Sequence, residues 1–132
     1  MTFADRGGWF SLFVVPDMNH TVALDWFTRR KQQPLITTDY VVDETLTLLK
    51  SRGQEAVALS LGQQFFSGSL ATIYYLTEED IRATWQVFTR YADKEWSFTD
   101  CSSKVVMEKF GITEAFAFDQ HFRQFGTITV AP

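Results

Sequence analysis

The stretch Leu35-Ile36-Thr37-Thr38-Asp39-Tyr40-Val41-Val42-Asp43-Glu44-Thr45-Leu46-Thr47-Leu48-Leu49 changes its periodicity part-way along. Leu35-Ile36-Thr37 follows Pro34, is apolar and β-branched, and reads as a short strand. Thr38 or Asp39 then offers an oxygen to cap a helix. From there Val41, Val42, Thr45, Leu46, Leu48 and Leu49 recur at helical spacing, and Gly53 marks the end. A strand that runs directly into a helix is the repeating step of an α/β domain.

The same step recurs on both sides. Thr2-Phe3-Ala4 reads as a strand, and Trp9 to Val15 as a helix that stops before Pro16. Asn19 can cap a helix carrying Val22, Ala23, Trp26 and Phe27. Gln54 to Phe66 reads as a further helix, and Ala71 to Leu76 as a strand. Thr77 with Asp80 three positions on resembles a capping box, with Asp in place of Glu, and opens a helix through Ile81, Trp85, Phe88 and Tyr91. Trp96 to Thr99, Phe116 to Phe118 and Ile128 to Val130 read as three more strands. Asp100 begins a helix that ends at Gly111, and Asp119 begins a short helical piece reaching Phe125. The expectation is one α/β domain over residues 1–132, with a mostly parallel sheet and helices on both faces.

Composition narrows the function. The chain has 132 residues, 45% hydrophobic and 21% charged, with a net charge of −4. Bulk positive charge is therefore not how it grips nucleic acid, although a bound metal could do so. One cysteine, Cys101, fits a reducing compartment, which makes the expected location cytoplasmic. No run approaches the roughly 18 apolar residues of a membrane span, and Asp5 precedes any apolar run, unlike a signal peptide.

Asp5, Asp100 and Asp119 share one context: each follows a predicted strand. Ligands of open α/β sheets bind at that edge, so neighbouring strands would gather the three carboxylates in one crevice. For Asp100 and Asp119 helix capping is the competing explanation. Asp5 instead precedes Arg6-Gly7-Gly8, where two glycines let the backbone turn and approach a ligand. Glu44 is the fourth carboxylate. Asp43 beside it lies on the polar face with Asp39, Thr47 and Lys50, whereas Glu44 projects between Val41 and Leu48 and needs a partner. Clustered carboxylates repel, and a divalent cation that prefers oxygen ligands, Mg²⁺ or Mn²⁺, resolves the repulsion. Such a site suits attack of water on a phosphodiester.

These residues resemble the motifs of the PIN domain family. Phe3-Ala4-Asp5, the following Gly-Trp-Phe-Ser-Leu and Pro16-Asp17-Met18-Asn19-His20 with Ala23 resemble its opening. The run from Leu35 to Leu49 resembles the second motif, with Glu44 acidic. Phe98-Thr99-Asp100-Cys101-Ser102-Ser103 resembles the third, and Phe116-Ala117-Phe118-Asp119-Gln120-His121-Phe122 the fourth. The resemblance covers essentially the whole chain in order. It implies a three-layer α/β/α domain and a Mg²⁺- or Mn²⁺-dependent endoribonuclease of the toxin–antitoxin kind, commonly dimeric and neutralised by a small antitoxin. It also implies that Asp5, Glu44, Asp100 and Asp119 form the acidic site, with Ser103 as a supporting hydroxyl. One residue departs from the pattern: the family usually has a small hydroxyl residue after the first aspartate, and here Arg6 stands there. Arg6 either pairs with Asp5 and weakens metal binding or contacts substrate phosphate, and the second reading is preferred.

Other residues have plainer readings. His20 and His121 are the only histidines, and no metal-binding spacing joins them, so both are read as structural or substrate-adjacent. Cys101 lies beside Asp100, whose charge would raise the thiol pKa, so it is read as a packing residue. Arg29-Arg30-Lys31 reads as charge complementing a helix C-terminus. The 13 Phe and 4 Trp read mostly as core, with a partner-facing patch on the two early helices as the alternative. A degenerate, non-catalytic PIN domain binding RNA or protein is the competing function, motivated by Arg6. A phosphoacceptor receiver is disfavoured because Glu44 lies inside a helix and no lysine occupies the required late position.

Overall fold

The computed structural model describes residues 1–30, 33–126 and 128–132. Five strands form a single all-parallel sheet: β1 (Thr2–Ala4), β2 (Leu35–Thr38), β3 (Thr72–Tyr74), β4 (Glu114–Phe116) and β5 (Thr129–Ala131). Their spatial order is β3-β2-β1-β4-β5. Among the described residues, six helices connect them: α1 (Arg6–Phe13), α2 (His20–Arg29), α3 (Asp39–Ser51), α4 (Glu55–Phe66), α5 (Glu78–Arg90) and α6 (Phe98–Lys109). A 3-10 helix over Gln120–Gln124 precedes β5.

Every residue of β1 and β2 is buried, as parallel strands covered on both faces must be. The architecture is therefore the three-layer α/β/α domain expected. Phe3, Trp9, Val41, Leu49, Phe65, Phe116 and Phe122 are fully buried. Trp9 packs edge-on against Phe65 at 5.1 Å, and Trp26 stacks on Phe116 at 4.3 Å. Phe10, Phe13, Trp26 and Phe27 also lie against the core, so the aromatic residues of α1 and α2 are packing residues.

Strand order decides where a site can form. The chain builds outward from β1 through β2 to β3, then crosses back to lay β4 on the other edge of β1. The direction of winding reverses between β1 and β4, and a crevice opens there beyond the strand ends. Register fixes its floor: Ala4 pairs with Phe116, and the Asp5 amide donates to the Phe116 carbonyl at 3.1 Å. Gly8 lets α1 settle onto β4, because a Cβ there would stand 2.7 Å from the Phe116 carbonyl oxygen.

The structure corrects several boundaries. Trp96 to Thr99 is no strand. Trp96 is buried between Tyr91 and Phe125, at 4.9 and 5.0 Å, and supplies the apolar signal without joining the sheet. Ser97 caps α6, which puts Asp100 inside the first helical turn rather than at a strand end. The strand read at Phe116 to Phe118 is Glu114–Phe116, that at Ala71 to Leu76 is Thr72–Tyr74, and that at Ile128 to Val130 is Thr129–Ala131. Asn19 stands at the N-cap of α2 without a side-chain capping bond. In the basic run, Arg29 pairs with Asp25, Arg30 lies over the Phe27 ring at 4.2 Å, and Lys31 falls outside the described residues.

Candidate active site

Asp5 leaves the end of β1 at the N-cap of α1, yet its side chain makes no capping bond. It is 1% exposed, and its Oδ1 has no hydrogen-bond partner. Burial, followed by the neighbouring Asp100 charge, pushes its pKa up to about 7; Glu44 adds to the rise and Arg6 opposes it. A buried carboxylate with an idle oxygen is costly, and a bound cation is what would stabilise it.

Asp100 both caps and faces the crevice. Its Oδ2 accepts from the Ser97 amide at 3.0 Å in a capping box, and from His121 Nδ1 at 2.8 Å. Asp119 likewise caps the 3-10 helix, its Oδ1 accepting from the His121 amide at 2.9 Å, with His121 Nδ1 at 3.2 Å from the same oxygen. Ligand atoms of Asp100, Asp119 and His121 lie within 4.8 Å of one another. Asp100 and Asp119 thus both cap helices and meet through His121, and of the two it is the Asp100 charge that acts on Asp5.

Glu44 projects from α3, and the partner it needs is Arg6, whose Nη1 donates to Glu44 Oε1 at 2.9 Å. The carboxylate that Arg6 pairs with is thus Glu44 rather than Asp5, the alternative partner named from the sequence. Asp43, beside Glu44, is exposed as expected. Ser103 follows Asp100 on α6, is fully buried, and donates to the Thr99 carbonyl at 3.1 Å, so its hydroxyl supports the helix turn behind Asp100. The Cys101 thiol is pushed up by burial and by Asp100, which leaves it a poor nucleophile.

His121, read from the sequence as structural or substrate-adjacent, bonds both carboxylates. The available signal was its place two residues after Asp119, which lets one side chain reach both carboxylates once α6 lies alongside. A cleft of about 610 Å³ opens beside it, lined by Asp93, Lys94, Glu95, Asp119, Gln120, His121 and Gln124. Trp96 Nε1 donates to Gln124 Oε1 at 2.7 Å and ties its two walls together.

No family model matches the sequence. The 23S rRNA-specific endonuclease VapC20 of Mycobacterium tuberculosis is 30% identical over 132 residues, spanning all of this chain and 99% of its own length. The chain belongs to the VapC family of PIN-domain ribonucleases. The VapC ribonuclease of Archaeoglobus fulgidus is 31% identical over 122 residues, covering 89% of this chain and 76% of that protein. The crystal structure of M. tuberculosis VapC20, described as a sarcin–ricin loop cleaving toxin, superposes with a TM-score of 0.90 at 28% identity over the whole of both chains. The acidic crevice of this VapC-family chain thus lies in a fold shared along its entire length.

Proposed function

We propose that this ribonuclease cuts RNA phosphodiesters at the β1–β4 crevice with the help of a divalent cation, Mg²⁺ or Mn²⁺, and that it is the toxin of a toxin–antitoxin pair. The observation that carries the metal reading is the unpartnered Oδ1 of buried Asp5, facing a second carboxylate whose charge it feels. The donor set is oxygen-rich with one imidazole, which fits these ions. Asp5, Asp100 and Asp119 would hold the cation, and Glu44 would complete the acidic set. When bound, the cation supplies positive charge to the phosphate and lowers the pKa of water.

The chain's own groups do the remainder. His121 orients the Asp100 and Asp119 carboxylates through its 2.8 and 3.2 Å contacts. Ser103 steadies the turn that carries Asp100. Arg6, 36% exposed, and Lys94 on the cleft rim add cationic groups where an RNA backbone would run. Likeness to VapC20 makes structured ribosomal RNA the first substrate to try. A small antitoxin, a homodimer and a cytoplasmic location complete the proposal; no described helix is long and apolar enough to cross a membrane.

The test is cleavage of ribosomal RNA by the purified chain with Mg²⁺ or Mn²⁺. Cleavage is expected to stop in EDTA, return on adding metal, and be lost in Asp100→Asn. Equal cleavage in EDTA sinks the metal reading, and equal cleavage by Asp100→Asn sinks the site.

A further inference from the structure

Among the described residues, two basic groups touch the carboxylates of the crevice. His121 spans Asp100 and Asp119, and Arg6 Nη1 meets Glu44 Oε1 at 2.9 Å. They differ in kind. An imidazole can give up its proton, whereas a guanidinium keeps its charge at any pH a folded protein meets. Arg6 is therefore a permanent positive charge inside the acidic crevice.

Its position is built into the fold. Arg6 is the first residue of α1, directly after Asp5. Two residues on, Gly8 lies so near β4 that a Cβ would stand 2.7 Å from the Phe116 carbonyl oxygen. This close packing of α1 against β4 pins the backbone from which Arg6 extends. Glu44 is held from the other side, on a long helix whose Thr38 cap accepts from the Val41 amide at 3.1 Å and whose Val41, Val42 and Leu49 are buried. The pair is only partly open to water, with side-chain exposures of 36% and 23%, so its attraction is incompletely screened.

The two ends of the crevice are unequal. Asp5 has an oxygen with no partner, while Glu44 has an oxygen already engaged by a cation. Only Oε1 is engaged, so an incoming divalent ion that ligates Glu44 either breaks that pair or takes the other oxygen with the guanidinium close beside it. We infer that Arg6 is a resident counter-ion that holds Glu44 outside the coordination shell, leaving Asp5, Asp100 and Asp119 to bind the cation and weakening that binding. This rests on the metal reading of the crevice and deepens it. Glu44 then acts as the carboxylate that positions Arg6, and the site balances one of its four acidic charges internally.

The experiment is calorimetric titration of the metal-free, full-length chain with Mn²⁺, using wild type, Arg6→Met, Glu44→Gln and the double variant. Arg6→Met keeps the side chain's length and removes its charge. It is expected to tighten the Mn²⁺ Kd by about three- to tenfold by freeing Glu44 and removing the repulsion. Glu44→Gln alone is expected to change Kd by less than about twofold, and to cancel the gain in the Arg6→Met background. Arg6→Lys keeps the charge and is expected to stay near the wild-type Kd, which also covers the case in which Arg6→Met does not fold. The inference is overturned if Glu44→Gln weakens binding about tenfold in the wild-type background. It is equally overturned if Arg6→Met leaves Kd unchanged, or if Arg6→Lys tightens it. Wild-type binding with an inert Arg6→Met overturns this inference alone, whereas binding by none of the five proteins overturns the metal reading with it.

Discussion

Asp5 and Asp80 are both almost removed from solvent, at 1% and 3% exposure, yet their acidities are displaced in opposite directions. Burial opposes ionisation of both. At Asp80 it is outweighed: Tyr74 Oη donates to Oδ2 at 2.5 Å, the Thr77 amide to Oδ2 at 3.0 Å, and Lys109 Nζ to Oδ1 at 3.0 Å. The pKa falls to about 2. At Asp5 nothing bonds Oδ1, the nearby charges are mostly negative, and the pKa rises to about 7. Asp80 is a carboxylate whose lone pairs are used by the fold, joining β3, α5 and α6. Asp5 keeps an oxygen that the fold leaves idle, which a structural carboxylate has no reason to do.

Exchanging the charge at each position should separate the two roles. Asp5→Asn is expected to cut RNA cleavage by at least about 10³-fold, an effect of about 4 kcal/mol on the barrier. The same change should stabilise the metal-free protein at pH 8, because it removes a buried charge without a partner. Cleavage assays and urea unfolding in EDTA check both halves. Loss of stability alongside loss of cleavage would mean that Asp5 is structural after all.

The pH dependence of stability sharpens the same contrast. Asp5 has its folded pKa raised from 3.8 to about 7. Between those values the unfolded chain has released a proton that the folded chain still holds, so stability falls as pH rises. The contribution is complete below about pH 4 and lost through pH 7, with an upper bound of about 4 kcal/mol for a shift of this size. Asp80 has the opposite sign: its contribution is present above its ordinary pKa and is lost only as pH falls toward about 2. Wild type should therefore lose stability in EDTA from pH 4 to pH 7 relative to Asp5→Asn. Parallel curves for the two proteins would contradict the raised pKa.

How much of this could be read from the sequence depended on the distance over which each signal acts. Thr77 and Asp80 lie three residues apart, and their capping box was legible because both partners share one helical turn. Ser97 and Asp100 form the same box, but Trp96 and Phe98 beside them made a strand the stronger reading. Local pattern cannot tell an apolar residue buried under a helix from one buried in a sheet. The misplacement mattered little to the site, because Asp100 still reaches the crevice, from a helix turn instead of a strand end. Glu44 was legible as needing a partner, since its neighbours on α3 are apolar. The identity of that partner was not, because Arg6 is 38 residues away and meets it only after α1 packs beside α3. His121 was read as structural or substrate-adjacent, but its partner was hidden for the same reason: the contact with Asp100 spans 21 residues and exists only once α6 and the 3-10 helix are side by side.

Asp80→Asn tests the other side of the comparison. An amide keeps some of the hydrogen bonding but not the charge that Lys109 meets, so a loss of about 2 kcal/mol of folding stability is expected. Cleavage per folded molecule should be unchanged, because the network does not touch the crevice carboxylates. A cleavage defect beyond the folding loss would show that β3 and α5 help shape the site.

The smallest effect belongs to Tyr74→Phe, which removes one donor from Asp80 and leaves the Thr77 and Lys109 bonds in place. The expected cost is about 1 kcal/mol, the usual worth of a single such bond. The variant also tests whether Asp80's acidity comes from its donors acting together. The Tyr74 hydrogen bond heads the influences that lower its pKa, so Asp80 should protonate at a higher pH in the variant. Acid unfolding should then begin earlier than in wild type, while stability near neutrality changes little beyond the lost bond. If the acid midpoint does not move, Lys109 and the helix cap alone hold the charge, and the contrast with Asp5 reduces to the presence of one cation. If it moves, the low pKa of Asp80 is the work of several donors, the condition that Asp5 lacks at its idle oxygen.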